Sequence, residues 1–120
     1  MSTILIIEDD ERERTTLREV LETAGYKVLS AADGSVGVEM ARESLPDLIL
    51  SDIDMPGMSG FQTLKLLKSD ERTTAIPFVF LTGSADAMAG RLGRKLGAEE
   101  FIEKPFSFSK LLAVIGSRLT

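Results

Sequence analysis

Five short apolar runs alternate with segments of helical period along this chain, and that alternation limits the folds open to it more than any other feature. The runs occupy residues 4–7, 27–31, 48–51, 78–81 and 101–102. Most are continuous rather than alternating in polarity, as in strands buried on both faces of a parallel sheet. Between them, Leu17, Val20, Leu21 and Ala24 recur at i, i+3, i+4 and i+7, with Gly25 placed to cap that helix. Ala85, Met88, Ala89, Leu92 and Leu96 form a second stripe ended by Gly97, and Phe108, Leu111, Leu112, Ile115 and Leu119 form a third. Two less regular helices are predicted over 35–44 and 60–68. Pro46 and Pro77 each precede a strand, where a missing N–H costs least. Five β–α units in 120 residues predict one three-layer α/β domain, residues 1–120, with an open doubly wound sheet and right-handed crossovers. A closed barrel would need eight units.

Composition removes several chemistries. There is no Cys, so disulfides and thiolate metal sites are excluded, and no His, so Ser-His hydrolysis and His-ligated zinc are excluded. The net charge of −5 makes the domain a poor grip for the phosphate backbone of nucleic acid. No apolar run approaches the roughly 20 residues a membrane-spanning helix needs, and acids follow the first run at once, unlike a signal peptide. The expectation is a soluble cytoplasmic domain that touches neither nucleic acid nor membrane.

In open α/β sheets the site lies at the carboxyl ends of the strands. The first strand ends in Glu8-Asp9-Asp10, the third in Asp52 with Asp54 two residues on, and the fourth in Thr82-Gly83. The fifth is followed by Lys104-Pro105. Carboxylates gathered this closely raise one another's pKa unless a cation sits among them. Hard oxygen donors suit Mg²⁺, which is commonly held by one or two carboxylates plus phosphate oxygens. A carboxylate nucleophile, a metal, a Lys and a Thr hydroxyl are the parts of phosphoryl transfer through an aspartyl phosphate.

Four segments, residues 4–11, 46–60, 77–83 and 97–106, together resemble the receiver domain of two-component response regulators, in family order and spacing over essentially the whole chain. That resemblance implies a flavodoxin-like (βα)5 fold with five parallel strands in the order 2-1-3-4-5. It makes Asp52 the phosphoacceptor and Mg²⁺ or Mn²⁺ the cofactor, held by Asp9 directly, Glu8 through water, Asp52 and the backbone carbonyl of Asp54. Asp10 stands outside the acid pair and receives no role. Thr82 would bind the phosphoryl group and report it, Lys104 would pair with the same oxygens, and the peptide before Pro105 would be cis. Phe101 takes the place of the aromatic switch residue, often Tyr, without its hydroxyl. Asp54 and Ser84 occupy the positions that tune dephosphorylation.

The implied partner is a histidine kinase or a histidine phosphotransfer protein, with the face of helix 4, strand 5 and helix 5 changing its affinity for an output partner. On that face Arg91, Arg94 and Lys95 with Glu99, Glu100, Glu103 and Lys110 could also be self-complementary in a twofold homodimer. Rival readings use the same residues. Asp52-Ile53-Asp54 resembles the nucleophile motif of haloacid-dehalogenase-type phosphatases, but there the motif follows the first strand of a larger fold. An EF-hand reading of Asp52, Asp54 and Gly57 fails because Thr63 stands where a bidentate Glu is needed. An inert receiver would be expected to lack the acid pair, the Asp or the Lys, and all are present.

Overall fold

The computed structural model describes residues 1–83 and 87–119, with side chains from residue 90 onward in the second stretch. The strands are β1 (Thr3–Ile7), β2 (Lys27–Ala31), β3 (Leu48–Asp52), β4 (Phe78–Thr82) and β5 (Glu100–Glu103). The helices between and after them are α1 (Glu11–Thr23), α2 (Gly34–Ser44), α3 (Gly60–Lys68), α4 (Ala87–Lys95) and α5 (Phe108–Leu119). The strands form one parallel sheet in the order β2-β1-β3-β4-β5.

The central strands β3 and β4 are buried almost throughout, as their continuous apolar runs require, whereas the edge strands β2 and β5 are only partly buried. One core layer, with Ile7, Ile49, Leu64, Phe78 and Phe80, lies under α2 and α3. The other, with Ile6, Leu17, Leu21, Leu50, Leu111 and Ile115, lies under α1 and α5. Order reverses between β1 and β3, so the crevice above their carboxyl ends is the topological switch point.

Two apolar stripes read from the sequence fit less tightly than expected. Leu92 is 45% exposed and Phe108 51% exposed. On α4 the buried position is Gly93, because the Phe101 ring lies where a side chain on Gly93 would project. Ser84 and Ala85, together with the side chains of Met88 and Ala89, lie outside the described residues.

Helix starts are fixed by side chains. Asp10, without an assigned role from sequence, is the N-cap of α1 and accepts from the Glu13 N–H at 3.0 Å. Ser59 and Gln62 form a capping box at α3. The first residue of that helix is Gly60, whose N–H donates to the Ile53 carbonyl at 2.8 Å. A Cβ at Gly60 would overlap the Asp52 carbonyl oxygen and come within 2.9 Å of Ile53 Cα, so α3 can seat against the end of β3 only with glycine there. Gly60→Ala is therefore expected to cost about 1–3 kcal/mol, the range for overpacking a tight contact, read as a lower urea midpoint. An unchanged midpoint would show that α3 can shift without loss.

Candidate functional site

The ends of β1, β3, β4 and β5 converge at the switch point. β1 delivers Glu8, whose N–H donates to the Ala31 carbonyl at 3.1 Å. Arg14 braces this turn from α1, donating to the Glu8 carbonyl at 2.8 Å. β3 delivers Asp52, and its own carboxylate accepts the Ile53 N–H at 2.9 Å. β4 delivers Thr82, which is buried, and its carbonyl accepts the Lys104 N–H at 2.7 Å. That bond ties the loop after β5 to the end of β4 and brings Lys104 over the acids. The Lys104–Pro105 peptide is cis.

Glu8, Asp9 and Asp52 each offer one carboxylate oxygen, and the three atoms lie within 4.8 Å of one another. Three hard anionic donors so close suit a small divalent cation such as Mg²⁺ or Mn²⁺. Asp54 follows on the loop after β3 with its side chain exposed, and Asp9 is exposed as well. Ser84 falls outside the described residues.

Burial decides the protonation of this cluster. Glu8 is only 1% exposed. Desolvation pushes its carboxyl up to about 8, helped by a hydrogen bond with Glu13 and the charge of Asp52, against the opposing pull of Lys104. Burial likewise raises Asp52, with Lys104 and the Ile53 N–H pulling the other way. Glu13 is held low, chiefly by its hydrogen bond with Glu8, so the proton of that pair resides on Glu8. Burial alone would lower the Lys104 ammonium, but Glu13, Glu8 and Asp52 outweigh it and the net shift is upward.

The Lys104 ammonium lies 3.0 Å from Glu13, 3.4 Å from Glu8 and 3.7 Å from Asp52. Sequence reasoning assigned Lys104 to the oxygens around Asp52 and gave Glu13 no role. The only sequence signal for Glu13 was its place in the acidic first turn of α1, which the helix dipole explains equally well. Beside this pair, a groove of about 490 Å³ runs between α1 and the β5–α5 connection, walled by Thr16, Leu17, Phe106 and Phe108.

Phe101 is half-buried. Its ring lies 5.3 Å from that of Phe80, with the Arg94 guanidinium 5.6 Å from its centre, a cation–π distance. Of the charges read as a partner-facing set, Glu99 is engaged inside the chain. It binds Lys68 at 3.0 Å and accepts the Phe78 N–H at 2.6 Å. Glu100 pairs with Arg118 at 2.9 Å. Glu99 is thus tied to α3 and β4, whereas Glu100 and Arg118 form a partly exposed pair between β5 and α5 on the face itself.

A five-stranded doubly wound sheet with an acid cluster, a Thr and a Lys at its switch point defines a class of small signalling domains. Residues 4–116 match the response regulator receiver domain model, and the chain belongs to that family. It is 38% identical over 119 residues to Protein PilH of Pseudomonas aeruginosa, covering 99% of this chain and 98% of that protein. The chemotaxis protein CheY4 of Vibrio cholerae superposes with a TM-score of 0.95 at 30% identity, covering 99% of each chain. The receiver domain of the sensor histidine kinase PA1611 from Pseudomonas aeruginosa, described with a magnesium ion coordinated in its active site cleft, superposes with a TM-score of 0.91. Its identity is 25%, over 98% of this chain and 97% of that one. Receiver domains of this family are phosphorylated on Asp and interact with histidine kinases and downstream effectors; they are signalling modules rather than enzymes. Among the described residues no helix is long and apolar enough to cross a membrane.

Proposed function

We propose that this domain is a phosphorylation-controlled switch of the cytoplasm, with Asp52 as the phosphoacceptor. The observation that carries the reading is the convergence of Glu8, Asp9 and Asp52 within 4.8 Å, with the Lys104 ammonium 3.7 Å from Asp52. A phosphohistidine on a histidine kinase or phosphotransfer protein donates the group. A carboxylate oxygen of Asp52 forms a bond to phosphorus as the P–N bond breaks, and the imidazole of the donor keeps the electron pair. Glu8, Asp9, Asp52 and the Asp54 carbonyl would hold Mg²⁺, which supplies positive charge against the phosphoryl oxygens. The chain catalyses only its own phosphorylation and dephosphorylation.

Lys104 then pairs with a phosphoryl oxygen and Thr82 moves to bind another. Phe101 follows into the space Thr82 leaves, giving up its contact with Arg94. The two arrangements differ at α4, β5 and α5, so a partner that prefers one of them shifts the balance between them. Asp54 tunes the attack of the water that ends the signal, as does Ser84, which lies outside the described residues, and the same α4–β5–α5 face is the place for a homodimer. A pure interaction module would keep the fold without needing these charged groups together.

The test is intact-mass spectrometry after incubation with acetyl phosphate, with Mg²⁺ and with EDTA. The expected result is an adduct of about 80 Da that appears with Mg²⁺ and is absent with EDTA. No adduct in either condition would leave an interaction module that keeps the fold without the chemistry.

A further inference from the structure

We infer that Glu13 is a positioning residue that governs phosphoryl uptake through Lys104, holding the ammonium on α1 until a phosphoryl group at Asp52 competes for it. The inference rests on the phosphoacceptor reading of Asp52. Lys104 has three N–H donors and three carboxylates within reach, but the division among them is unequal. Both oxygens of Glu13 lie within hydrogen-bond distance, at 3.0 and 3.3 Å, whereas Asp52 is at 3.7 Å. Lys104 is thus held most closely by a carboxylate outside the Glu8, Asp9 and Asp52 cluster.

A cation bound to that cluster would offset the charges of Glu8 and Asp52 but leave Glu13 as a full anion competing for Lys104. The backbone of Glu13 cannot follow the ammonium toward Asp52. Its N–H is held by the Asp10 cap, and α1 is pinned by the buried Leu17 and Leu21. The move of Lys104 to a phosphoryl oxygen therefore breaks the Glu13 pair, and that pair sets a threshold against uptake. Half of the Glu13 side chain is exposed, so the threshold is that of a partly solvated ion pair rather than a buried one.

The experiment compares phosphorylation rates at low acetyl phosphate and saturating Mg²⁺ in wild type, Glu13→Gln, Glu11→Gln and Lys104→Met, and in the double variant of Glu13→Gln with Lys104→Met. Glu13→Gln should phosphorylate about two- to fivefold faster, the range for releasing a partly exposed pair. Glu11→Gln removes the same charge from the same helical turn and should leave the rate at the wild-type value. In the Lys104→Met background, Glu13→Gln should change nothing, because the group it acts through is gone. A Glu13→Gln rate equal to or below wild type, or an acceleration that survives Lys104→Met, would overturn the role of Glu13 and leave Asp52 as phosphoacceptor. No adduct on the wild-type protein would instead remove the phosphoacceptor reading and this inference with it.

Discussion

In the Asp52→Asn variant, acetyl phosphate with Mg²⁺ is expected to give no phosphoryl adduct, while the fold becomes more stable at neutral pH. The two effects share one cause. Asn keeps the shape of the side chain and a carbonyl oxygen able to accept the Ile53 N–H now made by Asp52. It lacks the anionic oxygen that attacks phosphorus, so uptake is lost entirely rather than slowed. Removing that anion also relieves a cost. Burial raises the Asp52 carboxyl above its ordinary 3.8, so holding it ionised costs folding energy at every pH where the unfolded chain would ionise freely. The stability gain is therefore full well above pH 3.8 and disappears as the pH falls toward it. Stabilising single substitutions commonly contribute about 0.5–2 kcal/mol, often at a cost in function. Urea denaturation at neutral and acid pH beside intact-mass spectrometry checks both parts. An adduct surviving Asp52→Asn would place the phosphoryl group on another carboxylate, and a fall in stability at neutral pH would mean the Asp52–Lys104 attraction exceeds the burial cost.

The strands were legible because a parallel sheet covered on both faces leaves a continuous apolar run, and residues 48–51 and 78–81 are such runs. The site was legible for the same reason. An Asp or a Thr closing a buried run is costly unless it is used, and the carboxyl ends of β3 and β4 meet at the switch point. Contacts made across the sheet were not legible. Glu13 meets Lys104 only because the loop after β5 is tied to the end of β4 through the Lys104–Thr82 backbone bond, which lays Lys104 over α1. Nothing in the local sequence separates Glu13 from Glu11, since both suit the start of a helix. The register of α4 failed differently. Hydrophobicity places Leu92 inward, but the Phe101 ring lies against the helix at Gly93 and leaves Leu92 outside. Glu99 and Glu100 pair with Lys68 and Arg118, each distant in sequence, so neither pairing is visible in the local sequence. Gly60 read as a helix start; its approach to the Asp52 carbonyl is visible only in three dimensions.

Raising the pH of the metal-free protein is expected to weaken the fold, and Glu8→Gln is expected to remove most of that dependence. The folded-state value of Glu8, about 8, lies above its ordinary 4.5. Between those limits the unfolded chain has released the proton and the folded chain still holds it, so each pH unit costs up to about 1.4 kcal/mol. The stability tied to protonated Glu8 is complete below 4.5 and is lost as the pH rises through about 8. Glu13 has the opposite sign: its lowered carboxyl contributes above its ordinary 4.5 and loses that contribution only in acid, so it does not offset the slope. Gln at position 8 is neutral throughout and can still bond to Glu13. Urea midpoints measured in EDTA from about pH 5 to pH 8.5 test this; equal slopes in wild type and Glu8→Gln would assign the dependence to another group. Magnesium should reverse the effect. A cation needs Glu8 as an anion, so binding expels the proton, and affinity should rise with pH by up to about tenfold per unit before levelling near 8. Glu8→Gln should abolish that rise. A buried carboxyl whose charge destabilises the bare protein and is recovered on adding a divalent ion is a metal ligand, whether it binds directly or through water.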